Sequence, residues 1–281
     1  MKLDFTKLEG CKNDYIYIDC LKNDLYLSEA QIASLSDRRG GIGSDGVIFI
    51  RPSESADAFM DVYNADGSRA LMCGNGIRCT GKYLFDRGLC GERAAIETLS
   101  GVKQLSIIKG FDGSAAGARV GMGKALLEGD PPLPLNLAGR RFECSLVNMG
   151  NPHAVVFLDE SEDLDSFELG KYGSELSLHP LFPVGVNASF AKPLDGGTLK
   201  LRVFERGSGE TAACGTAASA AAFAAKKRGL AGVSALKVLL PGGELIIELS
   251  EDDEVYMTGS AREVFSGSVL LRDERGDGAA R

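Results

Sequence analysis

Two cysteines, Cys73 and Cys214, hold matching places in the stretches "YNADGSRALMCGNGIRC" (Tyr63 to Cys79) and "VFERGSGETAACGTAASAAAFAAKKRG" (Val203 to Gly229). Each follows a short apolar pair and precedes a glycine-containing helix start. The same offset of 141 residues carries Tyr63 to Phe204, Asn64 to Glu205, Gly74 to Gly215, Gly88 to Gly229 and Gly101 to Gly242. A thiol at a helix N-terminus meets aligned peptide dipoles and amide donors, which favour the thiolate and predict a pKa below the ordinary ~8.5. Two such thiols in one closed site share their protons as a pair. Placed on opposite faces of a tetrahedral carbon, a thiolate removes a proton from one side and a thiol returns one from the other, inverting the centre. The first-turn amides of Gly74, Asn75, Gly215 and Thr216 would then cradle a carboxylate between the helix starts. A cysteine protease needs one cysteine with a histidine, and a disulfide reductase needs two sulfurs within bonding reach, so neither calls for this symmetry. Taken alone, Cys73 also reads as a buried cysteine filling core space.

The elements that must position these thiols repeat as well. "AFMDVYNADG" and "TLKLRVFERGSG" show period-two patterning ended by turn chemistry, and each predicts a strand. "GNGIRCTGKYLFDR" and "GTAASAAAFAAKKR" predict helices, the second so apolar and small-sided that it should run through the centre of its unit. Gly88 and Gly229 stand where a C-terminal cap needs positive φ. "AAIETLSGVKQLSII" and "ALKVLLPGGELIIELS" then predict strand pairs broken at glycine turns. The front ends, "GCKNDYIYIDC" and "MGNPHAVVFLD", match more loosely, as Gly and Asn before an apolar strand. "GFDGSAAGA" reads as a linker or hairpin tip, and "DPPLPLN" as a surface crossing and not a continuous strand, because proline removes ladder donors. The expected fold class is α+β: two pseudo-symmetric units of strands around a central helix, with the active site in the cleft between them.

Composition narrows the function. With 281 residues, 44% hydrophobic and 25% charged, the chain is long enough for two folded units and a substantial core. A net charge of -8 argues against a nucleic-acid surface, although local amides and an arginine can still hold a small anion. The 7 cysteines include no CxxC pair, and His153 and His179 are the only histidines, so neither a disulfide framework nor a metal site is expected. The opening "MKLDFTKLEG" has no apolar signal segment and no membrane-length apolar run follows, so the expected location is cytoplasmic.

Four ordered motifs, "YNADGSRALMCGNGIRC", "NMGNPHAVVF", "ERGSGETAACGTA" and "VYMTG", resemble signatures of the diaminopimelate epimerase family, and the likeness runs from "FTKLEGCKNDY" to "EVFSG". The resemblance implies that fold and a cofactor-independent, homodimeric enzyme interconverting LL- and meso-diaminopimelate. It implies that Cys73 and Cys214 exchange the roles of acid and base. Asn64, Asn151, Asn187 and Arg206 would hold the distal end of the substrate, with Arg206 gripping its carboxylate. Glu205 and His153 would contact the reacting end and tune the thiols, Asn13 would touch substrate, and Tyr256 would lie at the dimer interface. The units expected are 1–116 and 117–261, with a strand in 262–275 returning to the first and a flexible tail at 276–281. Local spacing also allows plainer roles: strand ends for Asn64 and Asn187, a surface ion pair for Glu205 with Arg206, and a turn at Asn151-Pro152 with His153 beneath it. Departures from the family pattern at Lys12, Gly46, Ala217 and Ser260 leave two alternatives. One is a racemase of another amino acid, such as histidine, on the same fold; the other is a non-catalytic amino-acid-binding protein.

Overall fold

The computed structural model describes residues 1–271. The first half of the chain runs β1 (Lys2–Gly10), β2 (Asn13–Asp19), α1 (Glu29–Ser36), β3 (Gly46–Arg51), β4 (Ala58–Asn64), β5 (Arg69–Ala70), α2 (Gly74–Asp86), β6 (Arg93–Thr98), β7 (Gly101–Lys109) and β8 (Ala115–Lys124). The second runs β9 (Leu126–Leu137), β10 (Arg140–Asn148), β11 (Pro152–Phe157), α3 (Leu169–Ser177), β12 (Asn187–Asp195), β13 (Thr198–Glu205), β14 (Gly209–Thr211), α4 (Gly215–Lys227), β15 (Ala235–Leu240), β16 (Gly243–Leu249), β17 (Glu254–Ser260) and β18 (Arg262–Leu270).

Strand pairing repeats step for step. In the first half β1–β2 is antiparallel, β2–β3 parallel, β3–β4 antiparallel, β4–β6 parallel, and β6–β7–β8 antiparallel. The second half repeats this order through β10, β11, β12, β13, β15, β16 and β17. Parallel neighbours require crossover connections, and α1 and α2 in one half, α3 and α4 in the other, supply them. The two series meet where β8 pairs antiparallel with β17. Each half is then completed by a strand from the other series: β9, which follows β8, lies on β10, and β18, which follows β17, lies on β1.

Helices α2 and α4 carry the expected caps. Gly88 (φ 68°) and Gly229 (φ 69°) adopt the left-handed conformation, and paired backbone bonds close each helix end: Leu89 N–H to Leu84 O at 2.8 Å and Leu230 N–H to Ala225 O at 2.9 Å. Both helices are buried along nearly their whole length within one apolar cluster that joins the halves. Gly81 lets α2 press onto β7, since a Cβ there would lie 2.9 Å from Leu105 Cδ2. Alanines do the same work in α4, where Ala217, Ala218, Ala220, Ala221 and Ala222 are fully enclosed. Smaller clusters lie under α1 and α3 on the outer faces.

Two expectations are corrected. "DPPLPLN" is part of strand β9, whose pairing with β10 breaks register between Cys144 and Leu146 and resumes on both sides. Among the described residues β9 pairs on one side only, and an edge strand tolerates proline because its outward N–H groups have no ladder partner to lose. The second hairpin turn is equivalent to the first through Gly243, not Gly242: Leu240 faces Gly243 as Thr98 faces Gly101. One extra residue between α4 and β15 advances the offset by one there. "GFDGSAAGA" forms the β7–β8 hairpin tip, with Gly113 at φ 82°. Of the segment expected to return to the first half, β18 is described, while 272–275 and the expected tail 276–281 lie outside the described residues.

Candidate active site

The two cysteines cap the two central helices. Cys73 (φ −133°, ψ 117°) and Cys214 (φ −130°, ψ 115°) share one backbone conformation at the N-cap positions of α2 and α4. The first intrahelical bonds run from Ile77 N–H to Cys73 O (2.9 Å) and from Ala218 N–H to Cys214 O (3.0 Å). The amides of Gly74, Asn75, Gly215 and Thr216 therefore fall outside the helical ladder, at the positive ends of both helices. These ends converge: a methyl carbon on Gly74 would sit 3.5 Å from the Gly215 Cα, and one on Gly215 would sit 3.6 Å from the Gly74 Cα. Met257 of β17 fills the space beside them, so that the same methyl on Gly215 would lie 2.7 Å from Met257 Sδ.

The thiols have different neighbours. Cys73 Sγ accepts from the Gly76 amide at 3.3 Å, and its thiol donates to Asn13 Oδ1 at 3.5 Å. The Tyr15 hydroxyl also favours the thiolate of this sulfur. Cys214 Sγ meets the Thr216 hydroxyl at 3.4 Å and lies beside the Glu205 carboxylate, whose Oε1 accepts from Thr211 Oγ1 at 2.6 Å. The expected lowering of both thiol pKa values does not hold. Burial pushes the Cys73 thiol up, with the Gly76 amide, the Tyr15 hydroxyl and the Asn75 amide opposing it. Burial raises Cys214 well above its ordinary value, and Glu205 adds to that rise. Helix-terminus donors are present, but withdrawing a thiolate from water outweighs them.

A second group of expected residues gathers around β11, β12 and the turn after β13. The His153 ring is buried, and its Nε2 is 3.0 Å from Asn151 Oδ1 while Nδ1 has no partner among the described residues. Burial lowers its pKa to about 3, so the imidazole is neutral. Its hydrogen bond goes to Asn151 and not to a thiol. Asn187 donates to Pro152 O (3.4 Å) and accepts the Arg206 amide (3.0 Å), which ties the Arg206 turn to β12. Arg206 is exposed and bonds Val184 O at 2.8 Å. Among the described residues it pairs with no carboxylate, so the surface ion pair with Glu205 does not form. Asn64 donates to Ser68 Oγ at 3.0 Å and is exposed at the end of β4, as the strand-terminus reading expects. Tyr256 lies away from the thiols on β17, half-buried, with the Arg119 guanidinium 3.8 Å over its ring. Asn13 and Asn75 join the Cys73 cluster through an Asn75 Nδ2 to Asn13 Oδ1 bond of 3.3 Å.

Sequence reasoning missed Tyr15. Ile16, Val47 and Tyr63 align across β2, β3 and β4 as Ala154, Ala188 and Phe204 do across β11, β12 and β13. Tyr15 and His153 each come one residue before those rows, and so are symmetry equivalents. The signal was available in Asn13-Asp14-Tyr15 against Asn151-Pro152-His153.

Comparison with known proteins follows the same lines. The profile of the family described as diaminopimelate epimerase matches residues 5–127 and 145–264. A diaminopimelate epimerase of Leptospira biflexa is 44% identical over 284 residues, covering 96% of this chain and 100% of the relative. One from Acetivibrio thermocellus is 44% identical over 282 residues, covering 96% and 99%. Among solved structures, a hydroxyproline epimerase from Agrobacterium vitis superposes with a TM-score of 0.75 at 15% identity, covering 97% of this chain and 94% of that one. A Bacillus anthracis phenazine biosynthesis protein of the PhzF family gives 0.74 at 16% identity, covering 96% and 100%. These two likenesses concern the fold. With two cysteine-capped helix starts converging between its halves and a family match across most of its length, the chain belongs to the diaminopimelate epimerase family.

Proposed function

We propose that the chain epimerises LL-2,6-diaminopimelate to meso-2,6-diaminopimelate, using neither pyridoxal phosphate nor a metal. The observation that carries this reading is the contact between the two helix starts, each capped by a cysteine. In the proposed step a thiolate takes the α-proton, and the electron pair left on carbon is delocalised into the adjoining carboxylate held by the amides of Gly74, Asn75, Gly215 and Thr216. The opposite thiol then gives its proton to the other face. Thiol and thiolate have thereby exchanged places, which leaves the pair set for the reverse reaction until proton exchange with solvent restores the first arrangement. Arg206, with no carboxylate partner of its own among the described residues, would receive the distal carboxylate, assisted by Asn64, Asn151 and Asn187. Asn13 would contact substrate beside Cys73, while Glu205 and neutral His153 shape the reacting end.

The finer setting belongs to the same proposal: synthesis of lysine and peptidoglycan precursors in the cytoplasm by a homodimer with Tyr256 at its interface. The units in this reading are 1–116 and 117–261, with 262–275 returning to the first. Among the described residues no helix is long and apolar enough to cross a membrane. The test is α-proton exchange and inversion in deuterated water with LL-diaminopimelate, L-histidine and L-proline on one sample. Exchange with inversion of diaminopimelate alone supports the reading. Turnover of histidine or proline instead, or saturable binding without exchange, rejects it.

A further inference from the structure

Arg78 is the largest fully buried side chain in the molecule's described part, and among the described residues its guanidinium pairs with no carboxylate. The space it fills is built for it. A Cβ on Gly259 would lie 2.9 Å from Arg78 Nε, and one on Gly10 would lie 3.0 Å from Nη2, so two strand glycines hold the socket open. Within the socket Nε donates to Ser260 O of β17 (3.2 Å), Nη1 to Gly74 O (3.0 Å), and Nη2 to Asn75 Oδ1 (2.9 Å). One side chain thus binds the helix start under Cys73 to a strand of the opposite half.

The bond to Asn75 carries the consequence. A guanidinium only donates, so it forces the amide oxygen of Asn75 toward itself and the amide nitrogen outward. That Nδ2 donates to Ala213 O at 3.2 Å and to Asn13 Oδ1 at 3.3 Å. Ala213 immediately precedes Cys214, and Asn13 Oδ1 accepts the Cys73 thiol at 3.5 Å. Both cysteines therefore hang on one amide whose orientation Arg78 sets. The equivalent place in α4 holds Ser219, whose hydroxyl bonds Gly215 O at 2.9 Å and reaches no further across the junction. This device exists once, not twice.

We propose that Arg78 is a positioning residue for the two thiols: through Asn75 it sets the spacing of Cys73 and Cys214 across the junction of the halves. The inference rests on the two-thiol reading above. Arg78→Lys keeps the charge but loses the planar fork, and Asn75→Ala removes the bridge while leaving Arg78. Both would be assayed in deuterated water with LL-diaminopimelate, scoring inversion and deuterium in recovered substrate separately. Loss of spacing should cut inversion about 10²-fold. Exchange, which needs one thiol, should fall less than about tenfold, so that the ratio of exchange to inversion rises about tenfold or more. A role in stability alone would lower both rates together, and an unmoved ratio in folded Arg78→Lys, or in Asn75→Ala should Arg78→Lys not fold, overturns the proposal. So does inversion within about threefold of wild type. Wild-type protein that neither exchanges nor inverts diaminopimelate would instead defeat the underlying reading.

Discussion

The two halves present their cysteines on nearly identical backbones and then surround them differently. Around Cys73 the partners are neutral: the Gly76 amide, the Tyr15 hydroxyl and the Asn13 carbonyl. Around Cys214 a carboxylate, Glu205, stands where the first half has Asn64, and the Thr216 hydroxyl completes the contact. Both thiols are raised by burial and eased by amide and hydroxyl donors, but Glu205, the smallest influence on Cys73, is second only to burial at Cys214 and holds that thiol further up. Duplication supplied the geometry, and divergence at a few positions separated the two proton affinities. A pair in which one member is readier to ionise is suited to hold a single proton between them.

The comparison can be broken most severely at its centre. Cys73→Ala and Cys214→Ala should each slow inversion by roughly 10³-fold, measured as optical rotation change, because each removes one of the two proton carriers. A smaller and directional effect is expected from Glu205→Gln, which keeps an oxygen to accept from Thr211 and removes the charge. Since the carboxylate raises the Cys214 thiol, its loss should move the limb of the rate profile governed by Cys214 to lower pH, with turnover down about tenfold or more. Tyr15→Phe should shift in the opposite sense. The hydroxyl lowers Cys73, so its removal should move that thiol's limb to higher pH, with a change of about tenfold at most from the loss of one polar neighbour. Profiles shifting the same way in both variants would contradict the contrast between halves.

The smallest effect sharpens the packing side of the comparison. Gly215→Ala places a methyl 2.7 Å from Met257 Sδ, part of a buried side chain, whereas the nearest atom to the corresponding methyl at Gly74 is the Met257 terminal carbon at 3.3 Å. Urea denaturation should show a loss of about 1–3 kcal/mol for Gly215→Ala and less than about 1 kcal/mol for Gly74→Ala. Equal losses would mean that Met257 does not distinguish the two helix starts.

Much of the scaffold was readable from local pattern, because a helix start, a cysteine cap and a C-terminal glycine occupy fixed positions relative to one another. Gly88 and Gly229 are examples, since their left-handed conformation follows from chain geometry alone. The thiol environment was not readable in this way. Its leading influence is burial, which depends on strands remote from either cysteine, and the local helix argument gave the wrong direction for both. Proline in β9 misled for a related reason: its effect depends on whether the strand has a second neighbour. Arg78 escaped notice because its partner Ser260 lies 182 positions away and its socket consists of glycines on two different strands. Tyr15, by contrast, was visible in the repeated Asn-X-aromatic spacing once Asn13 was set against Asn151.

The central claim is that the two thiols serve opposite faces of one carbon. Its most direct test is α-proton exchange in deuterated water for Cys73→Ala and Cys214→Ala, each given LL-diaminopimelate and meso-diaminopimelate separately. The account predicts complementary results: each variant exchanges the stereoisomer whose proton faces its remaining thiol, neither exchanges both, and inversion in each falls by roughly 10³-fold. Exchange of both stereoisomers by one variant, or inversion within about tenfold of wild type in either, would contradict it.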